Sequence, residues 1–126
     1  MKNLKKIKNE LPSLLDYVIF YNTGIVFQST FSEGTNVPAI CANLIEIISK
    51  FKNSLFCCDA TPNEYQKIIF ESKKYIIFII KLGEESNIAL FFDNQVVDEV
   101  KISSVQKYLK KIEELIDMDV SELESN

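Results

Sequence analysis

The residues that most often carry out chemistry are few in this sequence. Three cysteines stand at Cys41, Cys57 and Cys58, and neither a C-x-x-C pair nor any other zinc-like spacing accompanies them. This pattern favours reduced thiols that serve as small apolar residues. A vicinal redox pair formed by Cys57 and Cys58 is the alternative.

The residue types that are missing exclude several kinds of site. The 126 residues contain no His and no Arg, so all 14 basic residues are Lys. The commonest general base and the arginine finger are therefore absent. Gly24, Gly34 and Gly83 are too scattered for a phosphate-binding loop. The paired acids at 84–85 and 113–114 are typical of a solvated turn and a solvated helix face. We expect no enzymatic activity, no cofactor and no metal.

Length and charge limit the partners and the location. A chain of 126 residues suits one domain. Its net charge of −4 disfavours nucleic acid, whose binding requires neutralised phosphates. The longest apolar runs, at 75–80 and 88–92, are far shorter than the ~20 residues that a membrane-spanning helix needs. No long apolar segment follows the basic first residues, so no signal peptide is predicted. We expect a cytoplasmic protein without an integral membrane segment.

The apolar pattern predicts eight elements. They are a helix at 3–11, strands at 16–21 and 25–31, a helix at 37–55 with Pro38 in its first turn, strands at 65–71, 75–82 and 87–92, and a helix at 97–118. The last two strands are apolar without alternation, which is typical of a sheet covered on both faces. The pattern predicts an α+β fold: a single three-layer α/β/α domain over residues 1–118, built on a five-stranded antiparallel sheet. Residues 119–126 are expected to form an acidic, frayed tail.

The predicted helix at 37–55 has more apolar surface than one sheet face needs. Its apolar residues span an arc of about 160°, and Ile40 and Ile47 lie at one margin. The strand at 65–71 follows a long connection, which favours a sheet edge with unpaired backbone groups. Together these features predict self-association through this helix and this strand. The alternative is that Ile40 and Ile47 pack under neighbouring loops.

The order of the elements, at this length, resembles the roadblock (dynein light chain roadblock-type) domain family. Residues 11–29 are similar to the family's opening hairpin, with Asn22-Thr23-Gly24 at the turn. Residues 37–48 resemble its central helix, with alanines at positions 39 and 42, and residues 74–93 resemble its last hairpin. The resemblance implies a roadblock/profilin-like fold, no catalysis, and a homodimer or a heterodimer with another roadblock protein. Such dimers pair through the central helix and the third strand, and they serve as platforms for small Ras-like GTPases.

The resemblance also implies which residues face a partner. The dimer interface would comprise Ile40, Asn43, Leu44, Ile47 and Phe51 of the helix with Tyr65, Lys67 and Ile69 of the strand. Glu46, Lys50 and Asn53 would remain on the outward helix face. Some bacterial members accelerate GTP hydrolysis by repositioning residues of the GTPase itself, a mechanism that suits a chain without Arg.

Two other functions stay open at this point. One is a longin- or profilin-like trafficking adaptor that does not form a dimer with a continuous sheet. The other is a small-ligand sensor of related three-layer build, which would need a cavity. The helix before the first hairpin and the single long terminal helix favour the roadblock-type platform over the adaptor.

Overall fold

The computed structural model describes residues 13–59 and 64–94 of the chain. Its elements in chain order are β1 (Leu14–Tyr21), β2 (Val26–Ser29), α1 (Val37–Asp59), β3 (Lys67–Glu71), β4 (Tyr75–Lys81) and β5 (Ser86–Asp93). The five strands and the helix were predicted, and their bounds differ from the prediction by no more than about one helical turn. The predicted helices at 3–11 and 97–118, the ends of the predicted domain at 1–118 and the tail at 119–126 lie outside the described residues.

The five strands form one antiparallel sheet in the order β2-β1-β5-β4-β3. The central pair is β1 with β5, whose register runs from Leu14 opposite Phe92 to Tyr21 opposite Ser86. Within the described sheet, β2 and β3 are the edge strands. The edge position predicted for the strand at 65–71 is therefore confirmed.

Local signals set the β1–β2 turn and the start of α1. Gly24 has φ of 90°, a left-handed conformation that glycine adopts without steric cost, and Tyr21 N–H donates to Ile25 O at 2.9 Å across the turn. Asn36 caps α1, because Ala39 N–H donates to Asn36 Oδ1 at 3.2 Å. Pro38 lies in the first turn as predicted, where a helix needs no backbone donor.

The helix α1 covers one face of the sheet. The cluster beneath it comprises Val18, Phe20, Cys41, Leu44, Ile48, Tyr65, Ile79, Ala89 and Phe91. Only Cys41, Leu44 and Ile48 of the helix are buried, whereas Ile47 is 37% exposed and Phe51 is 39% exposed. The buried stripe is thus narrower than the apolar arc, as predicted, and leaves Ile47 exposed. The other margin residue, Ile40, is half-buried and packs against the core cluster, as the alternative expected.

The opposite face of the sheet is buried too. Tyr17, Phe78, Leu90 and Phe92 are almost fully enclosed there, and Phe78 and Phe92 pack edge to face with ring centroids 5.4 Å apart. No element within 13–59 or 64–94 covers this face. Burial on both faces explains why β4 and β5 lack alternation, as the sequence predicted.

Candidate protein-interaction surface

The exposed edge of β3 is the first part of the candidate surface. Lys67, Ile69, Phe70 and Glu71 are exposed, and Ile69 reaches 47% exposure. Within the described sheet β3 pairs only with β4, so the backbone groups on its other side face away from the sheet. Such an edge can accept a further strand.

The charges of β3 make this edge compatible with a second copy of itself. An antiparallel pair centred on Ile69 would place Lys67 of each chain opposite Glu71 of the other, because positions 67 and 71 lie at equal distances from 69. These residues share one face of the strand, since side chains alternate. Opposite charges across an antiparallel pair each contribute about 0.2–1 kcal/mol. Glu71 was not predicted as a site residue, although the spacing of its charge from Lys67 was available in the sequence.

A hydrogen-bonded group fixes the chain where it enters β3. The buried Tyr65 hydroxyl donates to Asn87 Oδ1 at 2.5 Å, and Asn87 Nδ2 donates to Phe20 O at 3.3 Å and to Asn22 Oδ1 at 2.9 Å. Burial, with a smaller effect of the Glu64 carboxylate, raises the pKa of the Tyr65 phenol, so this donor keeps its proton. The entry to β3 is therefore tied to the β1–β2 turn. A lone Asn in an otherwise apolar strand was the signal in the sequence.

The flank of α1 that turns toward β3 is identified by an ion pair. Lys52 Nζ lies 3.1 Å from Glu64 Oε1, and Lys81 Nζ lies 3.5 Å from Glu64 Oε2, just before β3. The hydrogen bond from Lys52 is the largest cause of the lowered pKa of Glu64. Phe56 follows Lys52 by one helical turn on the same flank and is 51% exposed.

The residues predicted for the dimer interface fall into three groups. Leu44 and Tyr65 are buried in the core of their own chain, so their side chains are not available to a partner. Lys67 and Ile69 are exposed on the β3 edge. The helix residues Ile40, Asn43, Ile47 and Phe51 are exposed or half-buried, but they lie on the flank of α1 away from Lys52.

The residues predicted to face another protein are all exposed. Glu46 and Lys50 form an ion pair of 3.5 Å on the outward face of α1, with most of both side chains in water, and Asn53 lies one turn further on. An exposed pair of this kind contributes little to stability. The outward face of α1 is thus polar and available for recognition.

The described residues contain no group of side chains that could hold a metal ion. No three acidic or cysteine side chains come together there. Cys41 is buried, whereas Cys57 and Cys58 are exposed, so the expectation of apolar packing holds for Cys41 only. Within the described residues, no helix has the length and apolar character needed to cross a membrane.

One open groove lies where α1 begins. Its volume is about 620 Å³, and its lining comprises Leu15, Asp16, Thr30, Phe31, Ser32, Thr35, Ile40, Tyr75 and Phe91. Its polar side chains bond to one another, since Thr30 Oγ1 donates to Asp16 Oδ1 at 3.0 Å and the Ser32 and Thr35 hydroxyls are 3.2 Å apart. Phe31 packs edge to face on Phe91 at the groove floor.

The strand order, the connection through α1 and the burial of both sheet faces are those of the roadblock/profilin-like α+β fold. Solved structures share this fold. MglB of Myxococcus xanthus has a TM-score of 0.72 at 11% identity, over 96% of this chain and 94% of that chain. An MglB with a tetrameric arrangement has a TM-score of 0.70 at 13% identity, over 96% and 87%. A Roadblock/LC7 domain of Streptomyces avermitilis has a TM-score of 0.63 at 14% identity, over 86% and 96%.

No protein-family model and no curated protein matches the sequence. At identities of 11–14%, the likeness to the solved structures concerns the fold.

Proposed function

We propose that this chain is a non-catalytic roadblock-type platform that dimerises through the β3 edge and α1 and binds a small Ras-like GTPase. The observation that carries the dimer is the open β3 edge, where Lys67 and Glu71 are placed symmetrically about the exposed Ile69. Pairing two such edges extends the sheet across both subunits and covers Ile69 and Phe70.

The helix contributes to the same interface from the flank that turns toward β3. Phe56 is exposed on that flank, and the Lys52–Glu64 pair joins this flank of α1 to the segment just before β3. The sequence-based assignment of Ile40, Asn43, Ile47 and Phe51 to this interface stays a prediction, to be tested separately from the β3 edge.

A charge exchange across the β3 edge tests the dimer. Lys67→Glu would place Glu opposite Glu in both pairs, and Glu71→Lys would place Lys opposite Lys, so each variant is expected to dimerise more weakly. The double variant restores opposite charges and is expected to regain the dimer. The measurement is mass by sedimentation velocity over a dilution series. Lys73→Glu, in the exposed β3–β4 turn, is the matched control.

Two results would count against this dimer. One is a wild-type chain that stays monomeric at tens of micromolar. The other is a double variant as weak as either single variant, because a residue that merely stabilises the monomer would not be rescued by its opposite.

The GTPase part of the proposal rests on the fold, the absence of Arg and His, and the polar outward face of α1. A platform that repositions residues of its GTPase needs no catalytic group of its own. The test is titration of small Ras-like GTPases from the source cell against the dimer, loaded with GDP or with a GTP analogue that resists hydrolysis.

We expect Lys50→Glu, on the outward face, to weaken binding at least several-fold, and Lys73→Glu to leave it unchanged. If the Lys50→Glu variant binds the GTPase as tightly as the wild type does, the GTPase site does not lie on this helix face. A failure of every GTPase to bind in either nucleotide state would favour the trafficking adaptor.

A further inference from the structure

The second edge of the sheet carries an apolar surface that the proposed dimer does not use. At this edge Ile25 is 63% exposed, Phe27 is 44% exposed and Tyr21 is 38% exposed. The rings of Tyr21 and Phe27 lie edge to face with centroids 6.0 Å apart, so they form one continuous patch. We call Tyr21, Ile25 and Phe27 the β2 patch.

The backbone at this edge is open in the described sheet. There β2 pairs only with β1, and a register shift makes Phe27 the extra residue between Val26 and Gln28. A bulge and a short strand are devices that weaken edge pairing. Another such device, a charged side chain on the strand itself, is absent from β2.

The charge pattern identifies the occupant. Residues 17–32 contain no Asp, Glu or Lys, so pairing of these residues with a second copy places no like charges opposite each other within the paired strands. The adjacent charge at Asp16 accepts a hydrogen bond from Thr30 Oγ1 at 3.0 Å. Antiparallel pairing of a strand with its own copy satisfies the outward backbone groups of both. An uncharged apolar edge of this kind favours a second copy over a highly charged partner.

The flank of α1 away from β3 carries further exposed apolar side chains. Cα atoms of α1 approach those of β2 within 8 Å. Ile47 and Phe51 lie on the flank of α1 away from the Lys52–Glu64 pair, and both are exposed. Each edge of the sheet is thus an open strand with exposed apolar side chains of α1 on the neighbouring flank.

We infer that the β2 patch, with Ile47 and Phe51, is a second self-association surface through which dimers join into tetramers. The MglB with a tetrameric arrangement shows that a chain of this fold can assemble beyond a dimer. The tetramer requires the proposed β3 dimer, whereas self-association through the β2 surface does not require it. Because β2 has four residues, we expect an association that becomes visible at tens to hundreds of micromolar.

The test measures mass by sedimentation velocity up to hundreds of micromolar. The wild type is expected to reach the tetramer mass, and Ile25→Lys and Phe27→Lys are expected to stop at half that mass. Ile25→Lys alters the most exposed of these side chains, so it keeps the test meaningful if Phe27→Lys disturbs the fold. Asn53→Lys adds the same charge on the outward face of α1 and is expected to assemble like the wild type.

Two further variants separate this inference from the proposed dimer. Ile47→Glu is expected to stop at the dimer mass, as Ile25→Lys and Phe27→Lys do. If Ile47→Glu is monomeric instead, Ile47 belongs to the β3 interface. If the β3 dimer does not exist, the wild type stops at the dimer mass, Lys67→Glu changes nothing and Ile25→Lys gives monomers.

Amide hydrogen exchange gives a second readout. Exchange at residues 25–29 is expected to slow with concentration in the wild type and not in Ile25→Lys, because strand pairing protects those amides. The inference is overturned if Ile25→Lys and Phe27→Lys assemble and exchange like the wild type. Loss of binding to another protein in these variants, without any change in mass, would also overturn it and assign the edge to that partner.

Discussion

The three thiols show how burial separates residues of one type. Cys41 is fully enclosed between α1 and the sheet, and burial raises the pKa of its thiol to about 11. Cys57 and Cys58 lie exposed near the end of α1. Because the thiolate is the reactive form, Cys41 is expected to be inert in the folded protein.

Thiol titration tests this difference. We expect Cys57 and Cys58 to react with an aromatic disulfide reagent in the native protein and Cys41 to react only after unfolding, since the reagent needs an accessible thiolate. The double variant Cys57→Ser/Cys58→Ser is the control and should show no fast reaction. Three thiols reacting at one rate in native buffer would contradict the burial of Cys41.

Because of the raised pKa of Cys41, the free energy of unfolding is also expected to fall with rising pH in the alkaline range. The unfolded thiol loses its proton near pH 9.0, while the folded protein retains it to about pH 11. The folded state therefore binds more protons in this window, and the stabilisation from Cys41 is full below about pH 9 and is lost as the pH rises toward 11. Urea unfolding at several pH values should show this loss, and Cys41→Ala should reduce its slope.

At the scale of elements, the turn between β1 and β2 decides how the β2 edge is presented. Gly24 takes φ of 90°, and no atom lies within 4 Å of an added Cβ there. Gly34 has the same open surroundings without the left-handed conformation. The two glycines therefore form a matched pair that separates backbone strain from packing.

We expect Gly24→Ala to lower the free energy of unfolding by about 1 kcal/mol, because alanine is strained in the left-handed region. Gly34→Ala should be neutral or stabilise the fold by up to about 1 kcal/mol, since it restricts the unfolded chain. Urea unfolding of both variants measures the difference. Equal effects would mean that the turn conformation of Gly24 is not maintained in solution.

The sequence was sufficient for the six described elements and insufficient for the orientation of α1 on the sheet. Periodicity, Pro38 and the turn at Gly24 predicted α1 and five strands, because these signals are local. Which flank of α1 turns toward β3 depends on contacts between different segments of the chain, such as Lys52 with Glu64. A periodic pattern within one helix does not report such contacts. Leu44 was assigned to the interface from the family resemblance, and the apolar arc did not distinguish its buried part, in which Leu44 lies, from its exposed part.

At the scale of the whole molecule, the two ends of the sheet differ in their charges. The β3 edge carries Lys67 and Glu71, which specify one register with a second copy, whereas the β2 edge carries no charge. A register fixed by opposite charges favours a defined dimer, and an uncharged edge with a bulge favours a weaker contact. The molecule is therefore expected to assemble in two stages, first through β3 and then through β2.

This order of assembly predicts how thermal stability depends on concentration. Association stabilises the folded chain by mass action, and a concentration about one hundred times the dissociation constant adds about 2.7 kcal/mol. The unfolding temperature of Ile25→Lys, in which only the β3 interface remains, is thus expected to rise as the protein is concentrated. Adding Lys67→Glu to Ile25→Lys should flatten that rise, and adding Glu71→Lys as well should restore it. Circular dichroism melts over a hundredfold dilution series provide the measurement, with Ile25→Lys/Lys73→Glu as the control. An unfolding temperature of Ile25→Lys that does not change over the series would mean that the β3 edge stays unpaired, and the two-stage assembly would then lack its first step.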